Sequence, residues 1–368
     1  MIDINRKNTI ILQDLSNNEL TQLFHNINVT PLTFRTTLNI PDNITFGNEI
    51  EVNDISEERA SFFTSLFNDI YNLQGNDIYK VHPEETADAE IVTPRLTNKA
   101  IHWTNFKEMY ETLSDTGATI GYNTASHVHI GTNLIDTPQK LSLLLKTLVV
   151  FEPIIFKFGY GEVNEPRGFL QARLKRSIFS PMMSPSRVKN FTNALDHYKY
   201  NDQNLMTQEF YYFISPELTF RPVFNFKDFD FFKLHDGKAT EPNNSDHIEV
   251  RCFNGTLNPE ISQNNINLMT SIVDAVINGT IDEKYINTEY AKYKKKRYNF
   301  DTFCAILYDK EKVEQYNRLL NGFNKIKLDK ALKLSDMIFK TDLDKCYFLK
   351  QYLKLFDADI EYVNSLVK

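Results

Sequence analysis

An α+β fold built on an antiparallel sheet is what this 368-residue sequence predicts, and three observations predict it. Stretches alternating apolar and polar residues at period two (44–53, 119–132, 247–253) are separated by stretches of helical period (56–70, 103–113, 137–158, 261–277). The two kinds do not follow one another with the regular spacing of a parallel doubly wound sheet. From about Asp282 the pattern is helical and charged to the end. The expected organisation is a lead-in over 1–40, a central domain over 41–280 and a helical extension over 281–368.

Taken in order, residues 1–40 mix short strand-like runs with Asn-rich turns and read as a peripheral lead-in. The strand at 44–53 puts Ile44, Phe46, Asn48, Ile50 and Val52 on one face and Gly47, Glu49 and Glu51 on the other. Ser56, followed by Glu57 and Glu58, caps a helix whose periodic apolar set is Phe62, Phe63, Leu66 and Ile70. Short strands are expected at 78–81 and 89–94, a helix at 103–113, and an extended strand at 119–132 containing His127 and His129. Thr137 and Pro138 open a long helix to about residue 158, with proline at the favoured first-turn position. Residues 159–187 are rich in Gly, Pro and Arg without a clean period and read as a long loop. Strands are expected again at 210–213, 218–226 and 247–253, and a helix at 261–277. No internal repeat is apparent.

Composition narrows the function classes. With 42% hydrophobic and 24% charged residues, the chain can bury a large core. The most apolar run, 141–158, is broken by Lys146, Glu152 and Lys157, so no membrane span is expected. The first residues are too polar for a signal peptide, and Cys252, Cys304 and Cys346 form neither a CxxC nor a disulfide framework. The expected location is a reducing cytoplasm. Net charge is −7, but residues from 282 onward hold 18 basic against 14 acidic, which leaves an acidic body poorly suited to nucleic acid.

There is no GxxxxGK[ST], no strand–GxGxxG–helix and no GxSxG elbow. Instead, three expected strands carry functional groups at i and i+2: Glu49 and Glu51, His127 and His129, Glu249 and Arg251. Side chains two apart share a sheet face, so each pair points together. Gathered on one sheet with Glu90, they make a carboxylate-rich face suited to hard cations such as Mg²⁺ or Mn²⁺, with an arginine that can neutralise a moving phosphoryl group. Without cations such a face would repel itself. Each pair alone is commonplace, on solvated edge strands or in core and surface pairs. Arg167, Arg173, Lys175 and Arg176 in the long loop are candidates to close over phosphate or a carboxylate as a lid. Lys294 to Arg297 read as a wet helix face, and Cys252 as a core residue.

The segments FGNEIE (46–51), AEIVTP (89–94), SHVHIG (126–131), RPVFN (221–225) and IEVRCFNGTL (248–257) together resemble the amidoligase family, carboxylate-amine ligases related to glutamine synthetase and glutamate-cysteine ligase. The resemblance covers about residues 44–277. It implies a curved half-barrel sheet of glutamine synthetase type, with ATP entering one end and an acceptor carboxylate the other. It further implies Glu49, Glu51, Glu90, His127 and Glu249 as ligands of Mg²⁺ or Mn²⁺, His129 beside the nucleotide phosphates, and Arg251 with Arg221 on the transferred γ-phosphoryl group. The implied reaction converts a small-molecule or peptide carboxylate to an acyl phosphate that an amine attacks. Three departures stand out. Asn48 occupies a usually aliphatic position, Ala125 and Ser126 replace a glycine-containing lead, and His82-Pro-Glu-Glu-Thr86 replaces an Asp-Gly-Ser turn. In that last segment Glu84, rather than Glu85, is the expected partner acid of Glu90. Two rival readings are a guanidino-type phosphotransferase on the same fold and a catalytically degenerate binding module.

Overall fold

The computed structural model describes residues 9–163, 185–198, 203–214, 223–236, 246–293 and 326–368. Within them one curved, unclosed sheet of six strands runs in the order β2-β3-β1-β4-β6-β5, every neighbouring pair antiparallel. The strands are β1 (Phe46–Val52), β2 (Lys80–His82), β3 (Ala89–Val92), β4 (Ala125–Gly131), β5 (Phe224–Asn225) and β6 (His247–Asn254).

The back of this sheet is apolar because the alternation of β1 places Phe46, Ile50 and Val52 there, joined by Ile91, Val128, Ile130 and Val250, all buried. Helix α3 (Ala100–Asp115) covers part of it, with Trp103 stacked on Phe46 at 4.6 Å. Helices α4 (Pro138–Gly159) and α8 (Pro259–Ile277) cover more, packing on β6 and β4. Helix α4 begins as read from sequence, whereas α8 begins two residues before the expected 261; Thr137 and Asn258 cap them by accepting from Lys140 N and Ile261 N, and each has proline in its first turn.

Helix α2 (Glu57–Ile70) is capped by Ser56 as expected, but of its expected apolar set only Phe63 packs against the core, partly buried, and the fully buried stripe is a different one. Ala60, Thr64 and Phe67 face β2 and β3, while Phe62, Leu66 and Ile70 are exposed at 65, 45 and 67%. The small residues at 60 and 64 admit the helix close to the sheet, and Phe67 then meets Tyr79 edge-on at 5.2 Å. Residues 210–213, read as a strand, belong instead to helix α6 (Gln203–Ile214), which follows α5 (Pro185–Asp196). Their aromatic β-propensity misleads because Met206, Phe210 and Phe213 recur at helical spacing, and Phe210 stacks on Phe231 at 4.3 Å. A four-residue helix α7 (Lys233–Asp236) follows β5. Of the strand expected at 218–226, the described part of β5 is two residues.

The lead-in is helical where strand-like runs were expected. Ser16 and Glu19 form a capping box that opens α1 (Asn17–Val29), and Leu20, Leu23, Phe24 and Ile27 are buried at helical spacing. Helices α9 (Glu283–Tyr293), α10 (Leu328–Ile338), α11 (Asp342–Leu353) and α12 (Ile360–Ser365) fit the helical reading of the C-terminal segment. Helix α1 packs on α11 and α12, and the buried Lys350 donates to the carbonyls of Ile27 (3.1 Å) and Asn28 (3.0 Å) at the end of α1. Lys345 likewise reaches Ile10 O at 2.6 Å. No helix among the described residues is long and apolar enough to cross a membrane.

Candidate active site on the front of the sheet

Register, together with period-two parity, assembles the front face. Glu49 stands opposite His127, Glu51 opposite Glu90, and both His129 and Asn225 opposite Glu249. Where β4 meets β6 the register shifts between Ser126 and Val128, so Arg251 and Cys252 together oppose His127, a β-bulge in the middle of the site. Arg251 contacts Glu249, while Cys252 is buried in the core as its parity requires.

The contacts are close. Glu49 lies between the two imidazoles, with Oε2 2.5 Å from His127 Nδ1 and Oε1 2.9 Å from His129 Nε2. Glu249 Oε1 is 3.5 Å from His127 Nδ1, and its Oε2 accepts from Asn225 Nδ2 at 2.9 Å. Glu51 Oε2 accepts from Ala125 N at 2.7 Å. Its other oxygen, Oε1, faces His127 Nε2 at 3.6 Å, and both atoms are buried without a hydrogen bond. Glu51 and His127 are each only 1% exposed.

Electrostatics divides the face in two. Burial opposes ionisation of Glu49, but hydrogen bonds and charge from His127 and His129 override it and hold the carboxyl well below the usual range. In Glu249 burial is likewise outweighed, by Arg251 and then the two imidazoles. His129 is raised, since the Glu49 carboxylate outweighs its burial. Glu90, by contrast, is pushed up to about 8 by burial and then by Glu49, Glu84 and Glu51.

Among the described residues, three sets of ligand atoms lie within 4.8 Å of one another: Glu49, Glu90 and His127; Glu49, His129 and Glu249; Glu51, Glu84 and Glu90. A cavity of about 190 Å³ adjoins the second set, lined among others by Gly47, Val92, Pro94, Arg95, His129 and His247.

The structure thus gathers Glu49, Glu51, Glu90, His127, His129, Glu249 and Arg251 on one face, and sets Glu84 beside Glu51 and Glu90. Arg221, Arg167, Arg173, Lys175 and Arg176, with Lys294 to Arg297, lie outside the described residues. Sequence reading gave no role to Asn225, though it ends a segment already singled out, nor to His82, 3.8 Å from Glu90.

A comparison with curated proteins gives no match. The family model described as putative amidoligase enzyme matches residues 48–273, more than half of the chain, from within β1 to within α8. That span contains every residue of the acidic front face, and the chain belongs to this putative amidoligase enzyme family.

Proposed function

We propose that the protein is an ATP-dependent carboxylate-amine ligase that forms an amide or peptide bond through an acyl phosphate, with Mg²⁺ or Mn²⁺ on the front of its sheet. The observation that carries this reading is the pair Glu51 Oε1 and His127 Nε2, buried, unsatisfied and 3.6 Å apart among four further carboxylates. Buried polar atoms seldom stay without a partner, and one acceptor nitrogen beside carboxylate oxygens is a donor set for a hard divalent cation. Glu49, Glu51, Glu90, His127 and Glu249 would hold it, with Glu84 at the margin. Bound there, the cation would supply neutralising charge to the phosphates of ATP.

In this reading His129 contacts the nucleotide phosphates, and Arg251, fixed by Glu249, stabilises the γ-phosphoryl group in transfer. Arg221 shares that role on the strength of its segment alone, and Arg167, Arg173 and Arg176 are candidates to bind phosphate or a substrate carboxylate. The acceptor carboxylate oxygen bonds to the γ-phosphorus as the bond to ADP breaks. An amine then attacks the acyl carbon, and phosphate and a proton leave. Acceptor and amine are small molecules or peptides, and the scattered cysteines suit a reaction in the reducing cytoplasm.

Thermal melting with Mg²⁺, a non-hydrolysable ATP analogue, and both together tests the reading, because ligands of the folded state raise the midpoint. The expected result is a rise needing both ligands, absent in Glu249→Gln, followed by phosphate release with a productive carboxylate and amine pair. No shift with Mg²⁺ or Mn²⁺ would leave a degenerate binding module. A stable phosphorylated guanidine would mark a phosphotransferase.

A further inference from the structure

Behind the carboxylates, the apolar face of β1 is interrupted once, by Asn48, which is 1% exposed. Its side chain is fully engaged: Nδ2 donates to Tyr110 OH at 2.8 Å, and Oδ1 accepts from Ser126 Oγ at 3.0 Å. Tyr110 OH shares a 2.6 Å hydrogen bond with Ser262 Oγ, and Asn48 N donates to Thr93 Oγ1 at 2.8 Å. One residue therefore ties β1 to β4, to the segment after β3, to α3 and to α8. An aliphatic side chain would satisfy burial at this position without any of these requirements.

The location gives the network its meaning. Asn48 precedes Glu49, and Ser126 precedes His127, so the bond between them runs directly behind the 2.5 Å contact of Glu49 with His127. It falls at the bulge, where His127 has no one-to-one ladder partner in β6. We infer that Asn48 and Ser126 are positioning residues: through the back of the sheet they fix the bulge and so hold the His127 imidazole against Glu49. The inference rests on the cation reading above for its consequence, since a ligand held by an outer partner typically binds metal about 10–100-fold more tightly than one without it.

Titration with Mn²⁺ alone, followed by the paramagnetic signal of the free ion, tests this in the full chain. Asn48→Leu and Ser126→Ala are each expected to weaken Mn²⁺ binding about 10–100-fold. The metal-free melting midpoint should fall modestly, because each substitution leaves a buried hydrogen-bond partner unsatisfied, and Mn²⁺ affinity is compared well below the transition. Ser126→Thr, which keeps the hydroxyl, should restore tight binding. In metal-free protein the ring N–H resonance of His127, protected by Glu49, should be sharp in wild type and Ser126→Thr, and lost to exchange in the other two. Wild-type Mn²⁺ affinity together with an intact His127 resonance in Asn48→Leu would overturn the inference. Should Asn48→Leu fail to fold, Ser126→Ala decides by the same two readouts. If wild type itself takes no Mn²⁺, the cation reading falls, and the His127 resonance alone decides the positioning role.

Discussion

At the scale of single residues, Glu90 is a front-face carboxyl whose proton is favoured by its surroundings. Its raised value, about 8 against an ordinary 4.5, means that the folded chain binds a proton the unfolded chain does not. The stability this contributes is complete below pH 4.5 and disappears as pH rises through 8; His129, also raised, acts in the same direction above its ordinary 6.5. Glu49 and Glu249, both lowered, lose their contribution only as pH falls below 4.5. Melting in EDTA should therefore show a midpoint that declines between about pH 5 and 8, a shallower decline in Glu90→Gln, and recovery on adding Mg²⁺ at pH 8. A flat wild-type profile would show that Glu90 ionises freely. Most of this face was legible in the sequence, because period-two parity depends on nothing beyond the strand itself. Glu49 with Glu51, His127 with His129 and Glu249 with Arg251 needed only that rule. Asn225 and the Asn48–Ser126 bond were not legible, since each depends on which strand lies alongside and in what register.

At the scale of elements, α2 shows where periodicity falls short. Two stripes on that helix have helical spacing, and the sequence favoured the greasier one; the sheet accepted Ala60, Thr64 and Phe67 because a close approach rewards small side chains. Ala60→Leu should accordingly cost about 1–3 kcal/mol by overpacking. Phe62→Ser, on the exposed stripe, should change stability by less than about 0.5 kcal/mol. Urea unfolding of both variants checks this, and equal losses would put the buried stripe elsewhere. Helix α6 is the converse case. Its run of aromatics suited a strand locally, and only the packing of Phe210 and Phe213 against Phe231 and Phe191 selects the helix. The boundaries of α4 and α8, by contrast, were written in their caps and first-turn prolines.

At the scale of the whole molecule, the two ends of the chain are joined by buried lysines. Lys350 is 4% exposed and satisfies carbonyls of α1 from within α11, while Lys345 does the same for Ile10 and pairs with Asp336. Lys350→Met should remove the lysine donor from the Asn28 carbonyl and leave that of Ile27 with Thr30 N alone, at a cost of about 1–3 kcal/mol and with faster exchange of the amides of α1. Unchanged exchange in α1 would show that the helix holds without this link. The strand order has a temporal side. Glu49 meets His127 at a sequence separation of 78, and neither meets Glu249 until β6 has been made and inserted between β4 and β5. Pairings of such separation form late and slowly. A ribosome releasing this chain would deliver the Glu49, Glu90 and His127 group early but Glu249 only after about two thirds of it had emerged, so the front face is completed in two instalments, its acidic half before its arginine-bearing edge.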